Sequence, residues 1–205
     1  MTFNPENYQP YYGWHEFVFD DAKAIAKIIG IEIDDIRYSG FWSQGDGASF
    51  TGYYGYAKGA AAAIREYAPR DTELHAIADK LAHVQRKHFY ALQAAIAQFG
   101  RYVHEMSMSV DVDRGDGKEF ATGDYVSGRY QPSDAEDSIT EAMRDFARWI
   151  YRTLEKEYEY QSAWILADAW QGRETDAQEE KAAARVLIKD MRVAMRQGIA
   201  AAPSI

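Results

Sequence analysis

Two stretches of this sequence alternate with period two, and segments that repeat every three or four residues enclose both. In IEIDDIRYSGFW, Ile36, Tyr38, Gly40 and Trp42 fall on one side, and Arg37, Ser39 and Phe41 on the other. In YVHEMSMSVDVD, Met106, Met108, Val110 and Val112 oppose Ser107, Ser109, Asp111 and Asp113. A strand turns its side chain over at every residue, whereas a helix returns to one face after three or four. The chain must therefore build a sheet from a few strands and cover it with helices.

The helical segments have their own stops. In FVFDDAKAIAKIIGI, Phe17, Ala22, Ile25, Ile28 and Ile29 make one stripe, and Gly30 ends it. KGAAAAIREY reads as a short alanine-rich helix. From Asp71, read as an N-cap, Leu74, Ile77, Leu81, Val84, His88, Leu92, Ala95 and Phe99 recur at helical spacing, which predicts one helix running to Gly100. After QPSDAEDS, the residues Ile139, Met143, Phe146, Ile150, Leu154 and Tyr158 mark a long helix, with SAWILADAW as a further turn. Thr175 and Gln178 fit a capping box that opens a last helix ending near Gly198.

The strands read as two hairpins. The first joins IEIDDIRYSGFW to ASFTGYYGY through QGDG, with Asp46-Gly47 supplying a type I′ turn. That register sets Trp42 opposite Thr51 and Phe41 opposite Gly52. The second joins YVHEMSMSVDVD to EFATGDYV through RGDGK. The fold expected is α+β: a four-stranded antiparallel sheet from two β-hairpins, packed by helices, with a long C-terminal helical region. Residues 1–172 form a single domain on this reading, and residues 173–205 a helical extension able to pair between subunits.

Several chemistries find no support. With no cysteine among 205 residues, disulfides, thiolate nucleophiles and Cys-based metal sites are excluded. GYYGYAKGA lacks the Walker spacing and the Ser or Thr that would follow Lys58. Gly40, Ser43 and Gly45 lie one residue out of register with a nucleophile elbow. The five histidines form no His-Glu-x-x-His pair. Asp111, Asp113, Asp116 and Glu119 approach a calcium loop but with one residue inserted and the distal Glu displaced. Neighbouring carboxylates such as Asp34 and Asp35 diverge on a strand and make no acid–base dyad. No cofactor, no metal site and no catalytic residue is expected.

Charge and termini narrow the partners. The net charge of −9 resides in residues 1–50 and 101–150, each at −5, so direct attraction to nucleic acid is disfavoured. An organised acidic face could instead mimic DNA. The first residues carry no basic and apolar leader, and no apolar run reaches a membrane span, so a cytoplasmic protein is expected.

What stands out is the stretch from Ser39 to Tyr56, with six aromatic residues and five glycines. Rings provide contact area and small hydroxyls provide directed hydrogen bonds, a mixture suited to recognition. The candidate binding residues are Phe41, Trp42, Ser43, Gln44, Asp46, Ser49 and Phe50. A tight hairpin alone would also explain the glycines and Asp46.

The motif SGFWSQGDGASF, with DTELHAIADKLAHVQRKHFYAL, MSMSVDV and MRDFARWIYRTLEKEYEYQSAW, resembles a group of small proteins encoded by phages and other mobile elements, some labelled antitoxin-like. The resemblance spans residues 14–165. The Ala/Arg/Lys-rich segment from Thr175 to Gly198 departs from the short acidic tail of that group. The resemblance implies a non-enzymatic modulator that contacts a protein partner, as an antitoxin or counter-defence factor would. The alternative is a small-molecule or nucleotide binder, or an enzyme, with the aromatic hairpin as pocket wall.

Overall fold

The computed structural model describes residues 13–118 and 120–171. The element order is α1 (Glu16–Ile28), β1 (Ile31–Tyr38), β2 (Ala48–Gly55), α2 (Ala60–Tyr67), α3 (Thr72–Lys87), β3 (Leu92–Gln98), β4 (Met108–Arg114), β5 (Asp124–Val126), β6 (Arg129–Gln131) and α4 (Asp134–Gln171). Strands β1 to β4 form one antiparallel sheet in sequence order. The α+β class, the four-stranded antiparallel sheet and the long C-terminal helix match expectation. The last helix expected beyond Thr175, and the extension it belongs to, lie outside the described residues. No helix among the described residues is long and apolar enough to cross a membrane.

The inner face of the sheet carries Ile31, Ile36, Phe50, Tyr54, Leu92, Ala94, Ile96 and Val112, all buried in one core with the helices. Glu32, Tyr53, Ala95 and Asp111 lie side by side across the opposite face and are exposed. Helix α4 supplies the largest share of the core, with Ile139, Met143, Phe146, Ile150 and Leu154 fully buried at three- and four-residue steps. At its start, Ser133 N–H donates to Glu136 at 2.6 Å while Glu136 N–H reaches the Ser133 hydroxyl at 3.4 Å, a capping box. Glu136 also accepts from Gly123 N–H and the Tyr130 hydroxyl, which ties the small β5–β6 hairpin to the helix.

Two glycines are required by close approach. Gly30 ends α1 with φ +87°, and its carbonyl accepts from Gly55 N–H at 2.9 Å; a Cβ there would collide with the Gly55 carbonyl. Gly52, at φ +152°, faces a bulge at Asp34, where the register steps from Ile33↔Gly52 to Asp35↔Thr51. A Cβ on Gly52 would overlap the Glu32 carbonyl oxygen.

Three expectations need correction. The segment Leu92–Gln98 is strand β3, not the end of a helix running to Gly100. Helix α3 stops at Lys87, and Phe89 (φ 55°) and Tyr90 (φ 61°) turn the chain through left-handed backbone. Gln85 holds this reversal from inside: its Oε1 accepts from Leu92 N–H at 3.1 Å and its Nε2 donates to the Leu92 carbonyl at 2.7 Å. Pairing of β3 with both β2 and β4 then outweighs the helical preference of its alanines. Second, β4 pairs with β3, and residues 124–126 pair with β6 instead. Third, the first hairpin closes at Tyr38↔Ala48, so Asp46-Gly47 is no two-residue turn. Thr51 sits opposite Asp35, and Gly52 opposite Ile33. Phe41 and Trp42 belong to a wide loop from Ser39 to Gly47.

The N-cap at Asp71 is as expected, accepting from Glu73 and Leu74 N–H at 3.1 Å each. Its second oxygen accepts from the Trp149 indole at 2.8 Å, which fastens α3 to α4.

Replacing Gln85 by Leu keeps the volume but leaves both Leu92 polar groups unpaired in the core. It is expected to lower unfolding free energy by about 3 kcal/mol or more in urea titrations. Burial holds the Tyr54 phenol at about 12, against an ordinary 10.0. The folded state thus binds this proton more tightly, and the stability it contributes is intact below pH 10 and lost as pH rises through 12. Alkaline titration of stability should show that loss in the wild type, and Tyr54→Phe should flatten it.

Candidate functional site

The Ser39–Gly47 loop is closed by bonds between its own backbone and two of its side chains, Ser39 and Asp46. Ser39 N–H donates to the Gly47 carbonyl at 3.0 Å, and Gly47 N–H returns to the Ser39 hydroxyl at 2.9 Å. Within the loop, one carboxylate oxygen of Asp46 accepts from Trp42 N–H at 2.9 Å and Ser43 N–H at 2.7 Å. Asp46 N–H completes the ring by donating to the Ser43 carbonyl at 3.1 Å. Asp46 therefore organises the loop, since charge-assisted bonds of this kind exceed neutral ones in strength.

Phe41 and Trp42 leave the loop in different directions. Phe41 enters an aromatic cluster, stacked on Tyr38 at 5.7 Å between ring centroids and lying 5.1 Å from Tyr158, 5.5 Å from Tyr151 and 6.1 Å from Trp14. Trp42 stands nearly perpendicular to Tyr158, 6.2 Å between ring centroids, and keeps 44% of its surface in solvent. The Tyr151 hydroxyl donates to the Gly40 carbonyl at 3.2 Å. Burial, then the carboxylates of Glu155, Asp46 and Glu105, pushes the Tyr151 phenol far above its ordinary range, so it remains a donor.

A second loop, Phe99 to Ser107, adjoins the first. The Ser39 hydroxyl lies 3.3 Å from the Val103 carbonyl, and Gly47 packs against the His104 ring. A single 3-10 turn, Glu105–Ser107, ends this loop, with His104 Nδ1 accepting from Met106 N–H at 3.1 Å. Glu105 reaches Arg148 of α4 at 3.4 Å, Arg148 pairs with Asp145, and Asp145 binds Lys80 of α3 at 2.7 Å. Both loops are thus anchored to the helical layer. Between them they expose Trp42, Phe99 (68%), Tyr102 (81%) and Met106 (61%) at one end of the sheet.

The sequence-derived set divides here. Trp42, Ser43 and Gln44 are exposed together, with Asp46 beneath them and Phe41 as the root. Ser49 and Phe50 are corrections: both are buried, because Phe50 faces inward opposite Ile36 and packs on Phe146 at 5.8 Å, and the Ser49 hydroxyl donates to Gln98 at 2.7 Å. Neither can touch a partner. Phe99, Tyr102 and Met106 were missed, since the helical pattern placed Phe99, and the alternating pattern Met106, on an apolar face. The left-handed Gly100 (φ 82°) inside FGRY is the local signal of a turn that exposes them.

Among the described residues no group of three or more His, Asp or Glu side chains could hold a metal ion. Asp111 and Asp113 lie on exposed positions of β4, whereas Asp116 is taken up by Arg114 at 2.8 Å and by Lys118 N–H at 3.2 Å.

Residues 14–163 match the family described as a domain of unknown function, DUF8835. No curated protein and no solved structure matches the chain.

Asp46→Ala removes the acceptor for two loop N–H groups. It is expected to cost about 1–2 kcal/mol of stability and to loosen Trp42, seen as lower fluorescence anisotropy and stronger quenching by iodide. Asp46→Asn, which retains an acceptor oxygen, should fall between the two.

Proposed function

The chain belongs to the DUF8835 family, and we propose that it is a non-enzymatic modulator that binds a protein partner through the two loops at the Trp42 end of its sheet. The observation that carries this reading is the fixed exposure of Trp42. Its backbone is pinned by Asp46 and its ring is braced by Tyr158, so ordering it on binding costs little entropy. Rigid aromatic anchors flanked by further exposed apolar side chains are the usual centre of a protein interface. Phe99, Tyr102 and Met106 supply that surround. The net charge of −9 favours a partner with a basic rim around an apolar pocket.

In its fuller form the reading is of an antitoxin-like or counter-defence protein of phage or mobile-element origin. Its support is the resemblance carried by Ser39–Phe50, a segment that the structure devotes to the loop and its root rather than to a tight turn.

The test is affinity capture with the full chain, followed by titration of the purified partner. Trp42→Ala should weaken binding by about 30-fold or more while leaving the thermal midpoint nearly unchanged. A partner held equally well by wild type, Trp42→Ala and Tyr102→Ala would place the interface elsewhere on the surface.

A further inference from the structure

At the opposite end of the sheet, a cleft of about 280 Å³ opens between α2 and α3, and we infer that it binds a small planar aromatic anion. Tyr54 and Tyr56 line it from β2 and its continuation, Ala60 from the first turn of α2, Ala82 and Arg86 from α3, and Tyr90 from the reversal before β3. Small side chains on the facing turns of the two helices leave the volume open. Its size lies at the lower edge of known ligand sites and suits one or two fused rings with a short acidic group.

The rings come first. Tyr56 and Tyr90 lie 4.7 Å apart between centroids with a tilt of 35°. Tyr90 reaches this position only through left-handed backbone at φ 61°, directly after Phe89 at φ 55°. Left-handed backbone is unfavourable for bulky side chains, and glycine or asparagine would make the same turn more easily. Phe89 is 83% exposed, so core packing does not account for the pair. The Tyr90 N–H, bonded to the Gln85 carbonyl at 2.7 Å, fixes the backbone from which the ring joins the cleft wall.

The charge comes second. Among the described residues Arg86 is the single charged side chain lining the cleft, and no carboxylate lines it. Among the described residues the Arg86 guanidinium has no ion pair or hydrogen bond. The α2 N-terminus faces the same space with Gly59 at its cap; Ala60 N–H turns back to the Ala57 carbonyl at 3.3 Å and Ala62 N–H to the Gly59 carbonyl at 3.0 Å, which leaves Ala61 N–H without an acceptor among the described residues. Tyr54, 1% exposed, accepts from Gln85 at 3.1 Å, and its own proton has no acceptor among the described residues. Donors and positive charge therefore surround a space walled by aromatic rings, which selects a flat ring bearing an anion. An aromatic carboxylate and a nucleoside monophosphate share that chemistry.

The experiment titrates the full chain with indole-3-carboxylate, adenosine monophosphate, neutral indole and inorganic phosphate, following the tyrosine ring signals by NMR and the thermal midpoint. At least one of the two aromatic anions should shift the Tyr56 and Tyr90 rings and raise the midpoint with concentration. Indole and phosphate alone should bind at least about tenfold more weakly. The tighter of the two anions identifies the source. Arg86→Gln should weaken binding about tenfold, and Ala82→Trp, which fills the cleft, should abolish it. Tyr90→Gly should lose the ligand while the free protein keeps its midpoint or gains, because glycine relieves the left-handed backbone. Trp42→Ala, at the other end of the sheet, should bind as wild type. Absence of Tyr56 and Tyr90 shifts at millimolar concentrations of both anions overturns the inference, as does undiminished binding by Ala82→Trp.

Discussion

The course of the chain depends on one buried amide. Gln85, in the last turn of α3, bonds both the N–H and the carbonyl of Leu92 and so offers the strand a partner where β3 begins. Its second amide hydrogen reaches the Tyr54 hydroxyl on the neighbouring strand. One side chain therefore joins a helix to two strands at a point where no water can substitute. The alternative is a helix that continues through residues of good helical propensity. Satisfying three polar groups at once makes the reversal the better arrangement, and β3 then takes its place between β2 and β4.

That switch also explains what could be read in advance. Helix α1 with its Gly30 stop, the Asp71 cap and the α4 stripe from Ile139 to Leu154 were legible because local signals agree at each, although the α1 stripe was one residue off at its start, where Val18 is buried and Phe17 is exposed. The stretch from Leu92 to Phe99 fits two: Leu92, Ala94 and Ile96 alternate, while Leu92, Ala95 and Phe99 follow a helix. Only pairing with distant strands decides between them, and a single sequence does not display it. The candidate site divides in the same way. Trp42 and its neighbours were legible from composition, but the assumed two-residue turn at Asp46-Gly47 placed Phe50 in the wrong environment. Asp46 accepts from backbone four and three residues before it, which opens the loop and moves Phe41 and Trp42 out of the ladder.

The sheet thus holds two unlike ends on one scaffold. At one, two loops are braced by α4 through Tyr151, Tyr158 and the Glu105–Arg148 contact, and present rigid apolar surface outward. At the other, the junctions of β2 with α2 and of α3 with β3 enclose a concave space lined by tyrosines and one arginine. The first geometry suits a large partner and the second a small one. Strand β2 runs from one to the other, with Phe50 and Tyr54 locked in the core between them.

The bulge opposite Gly52 has a consequence for lineage. Ile33 and Ile36 are three residues apart, yet both face the core, because Asp34 is the extra residue in the ladder. Strand β1 is therefore written in two reading phases, and the join between them is permitted by a glycine on another strand. A relative that carries a side chain at position 52 cannot keep the phase change. It must either delete one residue from β1 or exchange its Ile36 and Arg37 characters, so that the apolar residue moves by one. Length in one strand and glycine in its neighbour form a single inherited unit, and substitutions at the two sites should occur together or not at all.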